Sequence, residues 1–445
     1  MPEFLDLLAE EISLKKSYLE EIAGKISELS ENYKRMVIEK WRPLPLPLEV
    51  IDKIFAVDSS TGIVEVRGGG VVLVARSMAL APFSKSFRKL IVDALYPRNT
   101  RDFEEYVRLM REHIEHAVAL ESLEDEPEFI LIDGSLYGRM IHVLMELDLE
   151  GREDFMFEYV RTYSDFLTQA VKRGVTVLGV SKDSRSTLFK EELLKKKVLE
   201  VASESGVEVE EVLRLWTALR RRPREVLEKV REKVRSGEFP AVILDYFEQA
   251  RSHVPDSRII LEAGVGQGYS TPLILSLSKV IAGQFDLVLD ERASDGNIEK
   301  LARVFEKSAD KHRGEFVKMA HELIAQLRSY PPVLMSYTIM GPGDDPLRVD
   351  IISKEISDVG FLKSGALQSS TRFTDDDTSI ATVERSLSLL RGLYAGEKGY
   401  NVLLLEVDRR VKISAATLET YRRVIMRELD TLILHSRGER RVHYP

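Results

Sequence analysis

Apolar residues near the start of the chain recur every three or four positions: Leu5, Leu8, Ile12, Tyr18, Ile22, Ile26, Leu29, Tyr33 and Val37, with charged residues between them. That spacing predicts one long helix or a helical hairpin over residues 3–41. The stretch Arg42–Glu49, RPLPLPLE, ends it, because alternating prolines cannot continue a helix. Beyond it the pattern turns to strands. Ile54–Ser60 (IFAVDSS) runs from apolar to polar, and Gly62–Leu80 supplies two more strands around a Gly68–Gly70 turn, which together predict an antiparallel meander. A charged amphipathic helix is expected over 101–124. A buried strand at Glu128–Leu136, a helix at Asp154–Arg173 and a second buried strand at Val175–Ser184 follow it.

Residues 186–237 are polar and helical in pattern, which reads as an insertion outside the sheet. Further strands are expected at Ala241–Leu244, Arg258–Glu262, Phe285–Leu289, Val333–Ile339, Leu347–Ile352 and Asn401–Asp408. Helices are expected over 298–328, 379–393 and from about Ile413 to Leu434, with a mobile tail after that. The expected organisation is a helical amino-terminal arm at 1–48, a core built from 49–185 and 238–445, and a helical insertion at 186–237. There is no internal repeat and no low-complexity tract.

Composition narrows the classes. The chain has 445 residues, 44% of them hydrophobic, enough for a substantial core and against wholesale disorder. Zero cysteines exclude disulfide frameworks, thiolate zinc sites and cysteine nucleophiles together. No run approaches the ~18 apolar residues of a membrane span, and the acidic, amphipathic start does not read as a secretory signal. A soluble, cytoplasmic protein is expected. The 31% charged fraction, with two Trp and no Cys, suits a thermophile. A net charge of −9 argues against a protein coated in phosphate-binding charge, but leaves room for a local basic channel.

Carboxylates recur at the ends of the expected strands: Asp58 closes IFAVD, Asp133 closes FILID and Asp408 closes VLLLEVD. One such Asp is ordinarily a turn residue or a helix cap. Three from one sheet can converge at one edge, where like charges raise each other's pKa unless a cation neutralises them. Oxygen ligands suit Mg²⁺ or Mn²⁺, and a pair of such ions can clamp a phosphodiester for in-line displacement. A fourth carboxylate can come from the helix RLMREHIEHAVALES. There Glu115 shares a face with Arg111, Ala119 and Ser122, although Glu112 and Glu121 compete for the role and a solvent-facing ion-pair ladder is the plainer reading.

These segments in this order resemble the NurA nuclease family. The matching stretches are AVDSS (Ala56–Ser60), the Glu of REHIEHA, LIDGSL (Leu131–Leu136), GVSKDSRS (Gly179–Ser186), PGDDPLRVDI (Pro342–Ile351) and GYNVLLLEVDRRVKI (Gly399–Ile413). DGSL and SKDSRS are the most specific of them. The resemblance implies an α/β, RNase H-like (Piwi-like) mixed sheet with flanking helices, in a ring-shaped homodimer. It implies a Mn²⁺-dependent nuclease, with Mg²⁺ the alternative metal, that degrades single-stranded DNA endo- and exonucleolytically and duplex DNA from 5′ ends. It also implies double-strand-break end resection with HerA, a hexameric ATP-driven translocase. Carried over by motif, Asp58, Glu115 and Asp133 form the acidic metal site, and Tyr400 and Asp408 fall at late active-site positions. Some members carry His where Asp408 stands, a change of type that keeps a metal-ligating group. In that site Lys182 and Arg185 are expected to contact a phosphate, and Arg409 and Arg410 to meet the DNA backbone.

Two weaker signals compete. Glu262–Pro272 (EAGVGQGYSTP) resembles the acidic-GxGxG loop of nucleotide-cofactor methyltransferases, against a plain glycine turn near the DNA path. The run Arg220–Arg222 with Arg224 could neutralise phosphates, but the acidic residues interleaved after it favour a solvated helix. The chain has no P-loop GxxxxGK[ST], so ATP-driven movement would have to come from a partner. The alternative to a nuclease is a non-catalytic dimeric adaptor for such a motor, and the helical arm is the candidate contact surface for a second subunit or a translocase.

Overall fold

A computed structural model of the chain describes residues 2–23, 31–48, 53–66, 69–83, 85–182, 184–219, 222–275, 294–357 and 371–428. The strand expected at Phe285–Leu289, Gly68 of the expected turn and the tail beyond Glu428 lie outside these residues. The chain divides into two compact units: Met1–Pro43 with Asp183–Ser270 and Gly341–Leu347, and Leu44–Lys182 with Thr271–Met340 and Arg348–Pro445. The strands, in chain order, are β1 (Trp41–Arg42), β2 (Ile54–Glu65), β3 (Val71–Leu80), β4 (Phe87–Leu95), β5 (Phe129–Asp133), β6 (Thr176–Ser181), β7 (Gly268–Ser270), β8 (Leu273–Leu275), β9 (Val333–Ile339), β10 (Leu347–Ile352) and β11 (Arg372–Phe373).

In the larger unit β4, β3, β2, β5, β6, β10 and β9 lie side by side in that order. β2, β3 and β4 form an antiparallel meander, β5 and β6 run parallel to β2, and β10 returns antiparallel to β6. This is the RNase H-like mixed sheet. Parallel pairs need crossover connections, and helices supply them: Thr100–Ser122 leads into β5 and Phe155–Arg173 into β6. The first of these starts at Asn99, whose side chain accepts a hydrogen bond from Asp102 N at 2.8 Å. It buries Leu109, Ile114, Val118 and Ala119 among others, and packs on β2, β3 and β4 and on the helix Phe155–Arg173.

The meander is assembled differently from expectation. IFAVDSS and GIVE form one strand of 12 residues, and Gly62 stays inside it. A Cβ on Gly62 would lie 2.6 Å from Leu418 Cδ1, so that glycine allows the late helix Ala415–Glu428 to approach closely. The third strand, β4, carries no simple apolar alternation. Its less exposed face holds Lys89, which pairs with Glu121, and Asp93, which accepts from Tyr106 Oη and Arg152 Nε, while Leu90 and Val92 are exposed.

Three expected strands are helices. Asn401–Asp408 lies in the helix Val402–Val411, capped by Asn401 Oδ1, which accepts from Leu403 N and Leu404 N at 3.1 and 3.0 Å. Leu404, Val407 and Val411, at helical spacing, form its buried stripe. Ala241–Leu244 belongs to the helix Ala241–Arg251, which buries Ile243, Phe247 and Ala250, and Arg258–Glu262 to the helix Asp256–Glu262.

The smaller unit is mainly helical. The arm contributes Pro2–Leu14, Lys16–Ala23 and Glu31–Glu39, and ends in β1, which pairs antiparallel with β7. Leu188–Glu204, Val209–Leu219 and Pro223–Arg235 occupy the expected insertion, and helices continue to Glu262. Trp216 and Phe247 meet edge to face at 5.0 Å in their core. No helix among the described residues is long and apolar enough to cross a membrane.

Gly179, in β6, is packed against the turn after β5. A Cβ there would lie 2.6 Å from Gly134 O, 2.8 Å from Leu136 Cγ and 2.9 Å from Leu136 N. Two of these atoms are backbone and cannot rotate away. Gly179→Ala is therefore expected to cost about 1–3 kcal/mol or more, measured by urea unfolding, and to displace the turn that follows Asp133.

Candidate active site

Asp58 sits midway along β2, where the strand passes from fully buried to half-buried positions. Its side chain is turned inward, and the residue is only 6% exposed. Ser59 N donates to Asp58 Oδ1 at 2.7 Å, and Ser77 Oγ donates to the Asp58 carbonyl at 2.8 Å. Burial is the largest influence on this carboxyl, followed by the charge of Glu115 and then, past the opposing Ser59 hydrogen bond, those of Asp133 and Asp408. Together they push its pKa from 3.8 up to about 7. Three other carboxylates thus act on the Asp58 carboxyl.

Glu115 is the carboxylate that the helix Thr100–Ser122 presents to this edge. It is 4% exposed, and the Ser59 hydroxyl donates to its Oε1 at 2.5 Å. Arg139 Nη2 donates to its Oε2, also at 2.5 Å, and to the Asp133 carbonyl at 3.0 Å. The rival glutamates are engaged elsewhere. Glu112 accepts from Tyr159 Oη at 2.5 Å and pairs with His142 Nε2 at 2.7 Å; although burial opposes it, these partners and Arg139 hold its pKa down to about 2. Glu121 pairs with Lys89.

Asp133 ends β5, and Tyr400 Oη donates to its Oδ2 at 3.4 Å. Lys182 Nζ lies 3.7 Å from the same oxygen and 4.0 Å from the centre of the Tyr400 ring. Burial and then the nearby carboxylates raise the Tyr400 pKa well above its ordinary value, so the phenol stays protonated and can donate. The turn after Asp133 is held from below. Ser135 Oγ and Tyr137 N donate to Asp350 Oδ2 at 2.6 and 3.0 Å, and Arg348 Nε donates to Asp350 Oδ1 at 2.8 Å. The DGSL and LRVD segments, 215 residues apart, are therefore in direct contact.

The remaining expected residues are less gathered. Asp408 is exposed on the helix Val402–Val411, which packs on β2, β3 and β5, and its charge reaches Asp58 from there. Arg409 and Arg410 are exposed on the same helix, both paired with Glu406. Arg185 is exposed and belongs to the smaller unit. Arg139, Ser59 and Asp350 escaped the sequence reading. Only their positions hinted at them: Arg139 six residues after Asp133, Ser59 one after Asp58, and Asp350 inside LRVD.

Among the described residues no group of three or more His, Asp or Glu side chains stands close enough to form a ready-made metal cage. The donor set nevertheless fits a hard divalent cation: a buried carboxylate surrounded by like charge, with oxygen donors only. Asp58, Glu115, Asp133 and Asp408 are the residues that could hold it.

The weaker signals resolve into structure. The segment before the glycine loop is a helix, so the strand-then-glycine arrangement of a methyltransferase is missing. Gly268 is required by packing, since a Cβ there would lie 2.3 Å from Trp41 Nε1 and 2.5 Å from Arg42 O. In the basic run, Arg222 pairs with Glu225 at 3.5 Å on a solvated helix, while Arg220 and Arg221 lie outside the described residues.

Comparison with curated proteins returns no match. Among solved structures, the NurA nuclease from Sulfolobus solfataricus aligns with 97% of this chain and 98% of its own, at 15% identity and a TM-score of 0.50. A NurA bound to dAMP and manganese aligns with 93% of each chain at 15% identity and a TM-score of 0.34. The family model for the NurA domain matches residues 52–413, a span that contains the meander, the acidic edge, Tyr400 and Asp408. The chain belongs to the NurA nuclease family.

Proposed function

We propose that this chain is a divalent-metal-dependent DNA nuclease whose metal site is Asp58, Glu115, Asp133 and Asp408. The observation that carries the reading is the Asp58 carboxylate, buried at the sheet edge within the fields of the other three. A buried carboxyl whose pKa is raised by burial and like charge costs stability, and groups of that kind cluster at functional sites. A bound divalent cation supplies the lowered water pKa and the charge that a departing phosphodiester oxygen needs. Tyr400 keeps its proton and can donate it in a hydrogen bond to a phosphate oxygen or to Asp133. Lys182, half-exposed over the Tyr400 ring, offers a point charge to the same phosphate. Arg409 and Arg410 follow Asp408 on its helix and can exchange Glu406 for backbone phosphate.

The finer assignment follows the family: Mn²⁺ as the metal, single-strand endo- and exonuclease action, and 5′-to-3′ degradation of duplex ends. Double-strand-break resection beside a HerA-type hexameric translocase, and a homodimeric state, belong to the same reading. A motor partner is consistent with a chain that carries no P-loop. The test uses 5′- and 3′-end-labelled single- and double-stranded DNA with Mn²⁺, Mg²⁺ or EDTA. Degradation is expected with Mn²⁺, weaker with Mg²⁺ and absent in EDTA, with mononucleotides released first from 5′ ends of duplex. No cleavage in either metal, with or without the translocase, overturns the reading and leaves a dimeric adaptor.

A further inference from the structure

The two oxygens of Glu115 are divided between very different partners. Oε2 is gripped by Arg139, whose side chain is as buried as the carboxylate itself at 7% and 5% exposure. Among the described residues, Oε1 is held only by the hydroxyl of Ser59, a neutral group that can rotate away. Arg139 is itself fixed on three sides: Nη2 reaches Glu115 Oε2 and the Asp133 carbonyl, and Nη1 lies 3.0 Å from His116 Nε2. His116 is fully buried and stacked on Tyr163 at 4.1 Å.

Resting on the metal site proposed above, we infer that Arg139 is the positioning residue of that site: it locks Glu115 by Oε2 and ties it to the end of β5, leaving Oε1 beside Asp58 for a cation, with Ser59 as its placeholder. A lysine cannot reproduce this. Its single ammonium cannot reach the carboxylate, the carbonyl and the imidazole in one planar fork. The placeholder has the opposite consequence. Removing the Ser59 hydroxyl takes away a competitor for Oε1 and leaves the carboxylate aimed.

The test is calorimetric titration of Mn²⁺ into the full-length metal-free protein, with the manganese resonance signal as a second readout. Wild type is compared with Arg139→Lys, Arg139→Met, Ser59→Ala, Glu115→Gln and Asp58→Asn. Arg139→Lys is expected to weaken binding about tenfold or more and Arg139→Met further, while Ser59→Ala binds as tightly as wild type or tighter. Should Arg139→Met fail to fold, the Arg139→Lys and Ser59→Ala results decide. Unchanged affinity in folded Arg139→Lys, or a tenfold loss in Ser59→Ala, overturns the inference. If Glu115→Gln and Asp58→Asn also bind as wild type, the metal site itself is misplaced, which separates the two failures.

Discussion

Asp58→Asn is expected to stabilise the metal-free protein above pH 7. In the folded chain this carboxyl gives up its proton near pH 7, against 3.8 for the same group when unfolded. Between those values the folded state holds a proton that the unfolded state has released, so stability falls as pH rises through that window. Above it the penalty is constant, at roughly 4 kcal/mol for a shift of this size. Asparagine keeps the acceptor for Ser59 N and carries no charge, so it escapes the penalty. In EDTA at pH 8 the variant should melt several degrees above wild type, and the difference should shrink towards zero near pH 4. Saturating Mn²⁺ should reverse the order, because a cation neutralises the cluster only where the carboxylate is present. Equal melting of the two proteins at every pH would contradict a charged cluster at this edge.

Asp350→Ala is expected to destabilise the larger unit by about 3–5 kcal/mol, through the loss of a buried carboxylate that balances a buried guanidinium. Asp350 is 0% exposed, and its two oxygens serve Ser135, Tyr137 N and Arg348. Alanine removes all of these acceptors at once. Asp350→Asn keeps an acceptor for the Ser135 hydroxyl and should lose less. Urea unfolding in EDTA reads the stability. The consequence at the site is a separate readout: with the turn after Asp133 loosened, the Mn²⁺ concentration for half-maximal cleavage should rise in both variants. An Asp350→Ala protein as stable as wild type would mean that the contact between the two segments contributes nothing.

Part of this organisation is legible in the sequence because an apolar run ending in Asp is a local pattern, although only Asp133 closes its strand, while Asp58 sits midway along β2 and Asp408 lies on a helix. FAVD and ILID are apolar runs ending in Asp, and both occupy adjacent parallel strands. The helix that carries Glu115 was readable from its period, and Ala119 and Ser122 do lie buried. NVLLLEVD misled because three consecutive leucines look the same in a buried strand and in a helix. The deciding signals were Asn401 as a cap and the spacing of Leu404, Val407 and Val411. AVILDYFEQA misled for the same reason, though Ile243, Phe247 and Ala250 already keep helical spacing. β4 was missed because its charged residues find partners on neighbouring elements, which no local pattern records. The Arg139 fork and the Asp350 anchor join residues 24 and 215 positions apart, respectively, and only the fold brings them together.

The central claim is that the carboxylates at this edge hold the cation that drives cleavage. Its most direct test is the rate of Mn²⁺-dependent cleavage of end-labelled DNA by Asp58→Asn and Asp133→Asn beside wild type, with folding of each checked by circular dichroism. Losses of at least ~100- to 1,000-fold in both are expected, as for removal of a group that acts directly on developing charge. Folded variants that both cleave at the wild-type rate would place the active site elsewhere in the chain.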